Sequence, residues 1–178
     1  MLRALKWLVY LVIAVVVIVA AGSFLLPAEA NVRRSVEIAA PPEKVFAIVG
    51  DLRRFQEYSP WVQLDPNATY TYDVEPPGIG QQMSWKSTNE NVGSGSQTVI
   101  LYEPAKHVTA ELAFADFPDH ALSTWDLEPA GTGTRVTWGF RMGLNGIVER
   151  WFGLLFEGRV GPDYEKGLVR LKLAAEKP

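Results

Sequence analysis

The sequence lacks cysteine altogether and has only two histidines, His107 and His120, among 178 residues. Without cysteine the chain has no disulfide, no thiolate nucleophile and no cysteine-ligated metal. A multi-histidine metal site would need both histidines together with carboxylates, and no spacing in the sequence indicates such a set. We therefore predict neither a metal nor a cofactor.

Runs of basic residues are also missing, since no stretch of Lys or Arg is longer than two and the formal net charge is -3. Proteins that bind nucleic acid usually present a basic face or stripe. The composition therefore predicts no nucleic-acid partner. The length suits one domain with a short additional element, and the sequence does not indicate an oligomeric state.

Near the N-terminus, by contrast, lies a long uncharged run from Trp7 to Ala28. As a helix it would be roughly 33 Å long, at about 1.5 Å per residue, and a bilayer core is about 30 Å thick. The apolar region of a signal peptide is usually shorter, at about 7–15 residues. We predict that residues 1–30 form a single-pass membrane anchor and that residues 31–178 form the functional domain.

Removal of this segment stays open as an alternative. Ala28–Ala30 reads Ala-Glu-Ala and fits the small-x-small pattern of a signal-peptide cleavage site. Trp7 and Tyr10 lie near one end of the run, where aromatic rings favour the membrane interface. Two basic side chains precede the run and two follow it. We expect the N-terminus to be cytoplasmic and the domain to be extracytoplasmic.

The domain begins with a segment of alternating apolar and polar residues, and most of the elements that follow are predicted strands. Val32–Ala40 alternates apolar and polar side chains, which is typical of a half-buried strand. The segment PPEKVFAIVGDL predicts a short helix that starts at prolines and ends near Gly50, and a second helical turn follows at Leu52–Glu57. About six strands come next, and the last two are predicted to form a hairpin across Ala130–Gly133.

The C-terminal region is predicted to be helical. Gly161-Pro162-Asp163 is typical of a helix start, and the apolar positions that follow recur at three- and four-residue steps. The preceding segment NGIVERWFGLLFEG predicts a short amphipathic helix or a lid. This order predicts an α+β fold in which a curved antiparallel sheet wraps on a long C-terminal helix, preceded by one transmembrane helix.

Several stretches together resemble a known superfamily. They are SVEIAAPPEKVFAIVGDLRRFQEYSPW, GIGQQMSWKS, NVGSGSQTVI, TRVTW and VGPDYEKGLVRLK. They resemble the bacterial polyketide cyclase/dehydrase-like proteins of the SRPBCC, or START-like, helix-grip superfamily, over about Val32 to Lys177. The resemblance implies an apolar cavity between the sheet and the long helix. Superfamily members include lipid carriers and aromatase/cyclases and share no catalytic set, so the resemblance implies no catalytic residue.

Aromatic side chains on the predicted strands and in YSPWVQLDP are the candidate ligand contacts. Flat apolar surfaces and indole N–H groups suit a sterol, aromatic or acyl ligand. The alternative is that the same side chains pack in an ordinary core, and that Trp61 only covers the edge of the sheet. The candidate set is Tyr58, Trp61, Trp85, Phe114, Trp125, Trp138, Phe140 and Met142.

A catalytic constellation is not visible. His107 and His120 are expected in solvent-exposed turns, and Asp116, Asp119 and Asp126 have no evident partners. General acid–base catalysis needs positioned groups with tuned pKa values. We predict a membrane-anchored binding or carrier protein for an apolar small molecule or lipid. The alternatives are a polyketide cyclase/dehydratase-type enzyme acting in the same cavity, and a protein-interaction module that uses Trp151–Phe156 as an adhesive patch.

Overall fold

The computed structural model describes residues 2–73, 76–115 and 119–177. These residues form one antiparallel sheet, a long helix at each end of the chain and several short helices, in the α+β order that the sequence predicts. The helices and strands are α1 (Leu2–Ser23), β1 (Glu29–Ile38), α2 (Pro42–Val49), a 3₁₀ turn (Leu52–Arg54), α3 (Phe55–Tyr58), α4 (Trp61–Leu64), β2 (Thr69–Tyr72), β3 (Gln82–Lys86), β4 (Ser94–Glu103), β5 (His107–Phe114), β6 (Ala121–Ala130), β7 (Gly133–Gly143), α5 (Ile147–Gly153) and α6 (Phe156–Ala175).

The seven strands form one sheet in the order β1-β7-β6-β5-β4-β3-β2, and every neighbouring pair is antiparallel. A register shift between Val99 and Leu101 marks a bulge in β4, a device that bends a strand and increases its twist. The predicted hairpin is confirmed, because Ala130 pairs with Gly133. Gly131 adopts the positive φ that this tight turn requires.

Helix α6 packs across the sheet, mainly against β1. Leu168 and Leu171 are buried on its inner face, whereas Leu173 is 61% exposed. Gly167 allows the helix backbone to approach the sheet closely, because a Cβ at that position would lie 2.5 Å from Cζ3 of Trp138. The predicted apolar stripe is therefore the face that the helix buries.

The predicted start of this helix at Gly161 is wrong. Helix α6 begins at Phe156, and Pro162 lies inside it. Proline has no N–H to donate to the carbonyl four residues earlier, so the helix loses the bond to Gly158 at this point. Phe156 and Val160 pack against the core and hold the first turns in place. Tertiary packing therefore overrides the local start signal. The segment before α6 contains the short helix α5, as the sequence predicts.

Helix α1 is long and apolar enough to cross a membrane between Leu5 and Ser23, a test that a signal sequence also passes. Helix α5 contacts its C-terminal end. The indole N–H of Trp151 donates to the Val19 carbonyl over 3.2 Å, and Arg150 donates to the Ser23 carbonyl, also over 3.2 Å. Large apolar side chains are exposed beside this contact: Phe24, Leu25, Val148, Phe152, Leu154 and Leu155. We call these six residues the apolar patch.

Candidate ligand-binding cavity

A cavity of about 250 Å³ lies between the concave face of the sheet and the first half of α6. It exists because the curved sheet diverges from α6, and the segment from α3 to α4 covers the gap. Most of its wall is apolar and aromatic, as is usual for small-molecule sites. The lining residues are Phe55, Ser59, Trp61, Tyr70, Met83, Trp85, Asn91, Val92, Gln97, Leu112, Phe114, Ser123, Trp138, Phe140, Met142, Phe156, Val160 and Tyr164.

One wall of the cavity is built around Trp138 of β7. Its ring stacks on Tyr164 of α6, with 4.0 Å between ring centroids and 19° between ring planes. Trp61 meets the same ring edge-on at 6.0 Å. The indole N–H of Trp138 donates to the Ser123 hydroxyl over 2.9 Å. This hydrogen bond fixes the ring, and it means that the indole N–H is not free to orient a ligand as the sequence suggested.

Two further aromatic pairs complete the apolar lining. Trp85 and Phe114 meet edge-on, with ring centroids 5.9 Å apart. Phe140 of β7 and Phe156 of α6 are stacked at 5.8 Å. The second pair joins the sheet to the first residue of α6, so the longer helix found in the structure contributes directly to the cavity wall.

Polar atoms in the lining are few. Gln97 is 2% exposed and Ser59 is fully buried, and neither Gln97 Nε2 nor the Ser59 hydroxyl has a hydrogen-bond partner within the part of the chain that the structure describes. Burial raises the pKa of the Tyr164 phenol, an effect that a hydrogen bond with Ser123 opposes. Burial also raises the pKa of Tyr70. Both phenols therefore stay protonated and uncharged at neutral pH.

Six of the eight candidate contacts meet in this lining: Trp61, Trp85, Phe114, Trp138, Phe140 and Met142. Their contact with a ligand stays a prediction. Tyr58 and Trp125 lie elsewhere, which corrects their proposed roles. Trp125 is buried behind Trp138, with stacked ring centroids 5.7 Å apart. Tyr58 packs edge-on against Phe55 and Trp138, and burial raises its pKa well above the ordinary value.

Sequence reasoning missed the polar members of the lining. Gln97 alternates with Val99 on the buried face of β4, so the period-two pattern contained the signal that its side chain points inwards. Ser59 follows α3 in a segment without a regular pattern, and nothing in the sequence distinguishes it. Val160 was missed because the helix was expected to start one residue later.

His107 is not solvated in the way that the sequence suggested. Its Nδ1 lies 2.6 Å from an Asp126 carboxylate oxygen, and its Nε2 lies 2.6 Å from the Thr109 hydroxyl. Asp126 also accepts from Arg33 over 2.9 Å, so its carboxylate has partners after all. These side chains lie on the outer face of the sheet, opposite the cavity residues Leu112 and Ser123 on the same two strands.

His120 and Asp119 do not line the cavity. His120 is exposed and lies 3.3 Å from Glu111, Asp119 accepts from Asn145 at the surface, and Asp116 lies outside the described residues. Within 2–73, 76–115 and 119–177, no group of three or more His, Asp or Glu side chains is arranged to hold a metal ion. A second depression, of about 370 Å³, is more open to solvent and includes the carboxylates of Glu43 and Asp51.

The chain has a curved antiparallel sheet that packs on a long C-terminal helix, with an apolar cavity between them, and this arrangement defines the helix-grip superfamily. The predicted resemblance to that superfamily is therefore confirmed. The chain belongs to the family described as polyketide cyclase / dehydrase and lipid transport, whose model matches residues 29–176. Among curated proteins, none matches the chain.

Solved structures share the fold at low sequence identity. The protein CV1439 from Chromobacterium violaceum is 14% identical with a TM-score of 0.58, over 84% of this chain and 99% of its own. A protein from Thermobifida fusca is 19% identical with a TM-score of 0.60, over 82% and 93%. The di-domain ARO/CYC StfQ of the steffimycin biosynthetic pathway is 10% identical with a TM-score of 0.64, over 84% of this chain and 52% of its own. At these identities the likeness shows the fold alone.

Proposed function

We propose that the chain is a membrane-anchored binding or carrier protein that holds an apolar small molecule or lipid between the sheet and α6. The observation that carries the proposal is the aromatic cavity between the sheet and α6, in which the described lining residues include no Asp, Glu, Lys, Arg or His. Such a wall favours burial of an apolar surface. It also leaves few groups able to transfer protons near neutral pH.

The alternative is a polyketide cyclase/dehydratase-type enzyme acting in the same cavity. The family description favours it. Such chemistry would call for a general base whose pKa is near the working pH. The two phenols among the described lining residues have raised pKa values, so they stay protonated at neutral pH and can donate hydrogen bonds but not take up a proton. We therefore place ligand binding ahead of catalysis.

A direct test is titration of the full chain, reconstituted in lipid nanodiscs, with fatty acids, sterols and polycyclic aromatics. Trp61, Trp85 and Trp138 line the cavity, so tryptophan fluorescence is expected to shift with at least one of these classes after subtraction of the lipid-only signal. A flat response across all three classes would contradict the proposal.

The membrane part of the proposal rests on α1 and on the apolar patch beside it. Val148, Phe152 and Leu154 are more than half exposed, and α5 holds them next to the end of the span through Trp151 and Arg150. Tryptophan and other apolar side chains favour the membrane interface. We assign the patch to the lipid surface rather than to a protein partner, with the domain on the extracytoplasmic side.

We expect α1 to remain attached to the mature protein as its anchor. The exposed helix is uncharged from Trp7 to its end, and its apolar stretch is long enough to span a bilayer. Intact-mass analysis of the protein from the membrane fraction is expected to give a chain that retains α1. A mature chain that begins at Asn31, after the Ala-Glu-Ala tripeptide, would contradict the anchor and favour a cleaved signal peptide.

A further inference from the structure

Gln97 places one amide side chain in an otherwise apolar part of the cavity wall. It pairs in register with Met83 on one neighbouring strand and with Leu112 on the other, and all three side chains line the cavity. Gln97 is only 2% exposed, so bulk water does not reach its amide. The side chain is held in the wall by strands on both sides rather than by a loop.

The amide of Gln97 is left unsatisfied within the described residues, because its Nε2 has no hydrogen-bond partner there. A buried donor without an acceptor carries the full cost of its desolvation, and native structures rarely leave one without a reason. The adjacent strand supplies a contrast. Gln82 of β3, which does not line the cavity, donates to the Thr98 hydroxyl over 3.0 Å.

The acceptor that Gln97 lacks must be uncharged. Along the described lining there is no Lys, Arg or His side chain to neutralise a carboxylate or a phosphate. Burying an unpaired charge in such a site is far more costly than burying a neutral carbonyl. A carbonyl oxygen would accept from Nε2 and leave the rest of the ligand against aromatic rings.

We propose that the cavity selects an uncharged, largely apolar ligand that carries a carbonyl-type acceptor, and that the Gln97 amide, whose Nε2 has almost no accessible surface before binding, rotates to donate to this acceptor. The Ser59 hydroxyl, which is buried in the lining and has no hydrogen-bond partner among the described residues, is the other candidate donor. This inference rests on the proposed function, because it names the chemistry of the ligand that the cavity holds.

A matched series of three-ring compounds tests this inference. Fluorene has no acceptor, 9-fluorenone has one carbonyl, and fluorene-9-carboxylate has an anionic acceptor on the same rings. Binding to the full chain in nanodiscs is measured by equilibrium dialysis, with lipid-only nanodiscs as the blank. The wild type is expected to bind fluorenone about tenfold more tightly than fluorene, since one well-placed buried hydrogen bond is worth about that factor, and to bind the carboxylate most weakly.

The substitution Gln97→Leu removes the donor. It is expected to bring the ratio of the affinities for fluorenone and fluorene close to one, and fluorene is expected to bind more tightly than it binds the wild type. Gln97→Met serves if the leucine variant does not fold. Gln82→Leu is the matched control, because it makes the same change on the other face of the neighbouring strand, and it is expected to keep the wild-type ratio.

The outcomes separate this inference from the proposed function. If none of the three compounds binds and the fluorescence titration is flat, the proposed cavity function fails. If fluorene and fluorenone bind the wild type equally, or if the carboxylate binds best, the cavity function survives and the acceptor inference is overturned. The assignment of the donor to Gln97 is also overturned if Gln97→Leu still prefers fluorenone to fluorene and only Ser59→Ala loses that preference.

Discussion

Replacing Leu168 with alanine is expected to lower the free energy of unfolding by about 2–5 kcal/mol, the range measured for buried leucines. Leu168 is 2% exposed on the face of α6 that packs against the sheet. Truncation leaves a void that the surrounding strands fill only partly. The measurement is urea unfolding of the full chain in detergent micelles, followed by tryptophan fluorescence.

Leu173→Ala is the matched control for this prediction. It makes the same change on the same helix at a side chain that is 61% exposed, so its expected effect is within about 0.5 kcal/mol. Equal destabilisation by the two substitutions would show that α6 does not bury the face that contains Leu168.

The substitution Val160→Trp is expected to weaken ligand binding by about 100-fold, equivalent to about 2.7 kcal/mol. Val160 lies on α6 in the cavity lining, and an indole there would occupy the space that the ligand needs. Overpacking costs about 1–3 kcal/mol in a filled core, and the existing void reduces that cost. The measurement is the fluorescence titration in nanodiscs, using whichever of the three ligand classes shifts the wild-type signal.

Val169→Trp is the control for the blocking variant, because Val169 is 56% exposed on the same helix. It is expected to bind like the wild type. Circular dichroism must show that both variants retain the fold, and Val160→Phe replaces the tryptophan variant if that one unfolds. Undiminished binding by a folded Val160→Trp variant would place the ligand outside this cavity.

Period-two patterning made much of the site predictable. Trp138, Phe140 and Met142 alternate along β7, the sequence predicted all three as ligand contacts, and the structure has all three in the cavity lining. Trp125 shares the inner face of β6 but stacks behind Trp138. Alternation shows which face of a sheet a side chain occupies. It does not show whether a neighbouring ring separates that side chain from the cavity.

Other parts of the site depend on contacts between distant segments. His107 and Asp126 meet because they are paired in register on β5 and β6, and a shift of one residue would place them on opposite faces. The true start of α6 depends on the packing of Phe156 against Phe140, which no local signal near Pro162 indicates. The sequence therefore predicted the elements and their faces better than the contacts between them.

The donor of Gln97 shows why the chemistry of the ligand could not be predicted from the sequence. A glutamine on a buried strand face normally finds an acceptor in the protein. Only the three-dimensional arrangement leaves Gln97 Nε2 without an acceptor among the described residues, in a cavity lined by apolar and aromatic side chains. A polar residue among apolar positions is a useful sequence signal, but its partners decide whether it serves the fold or the ligand.

The central claim is that a molecule occupies the space between the sheet and α6, and mass spectrometry of the purified protein tests it most directly. The full chain and its Val160→Trp variant are purified in parallel from membranes, and the organic molecules released on denaturation are compared. We predict an uncharged apolar compound that is released from the wild type and is depleted from the variant. Equal release from both proteins, or no such compound from the wild type, would contradict the account.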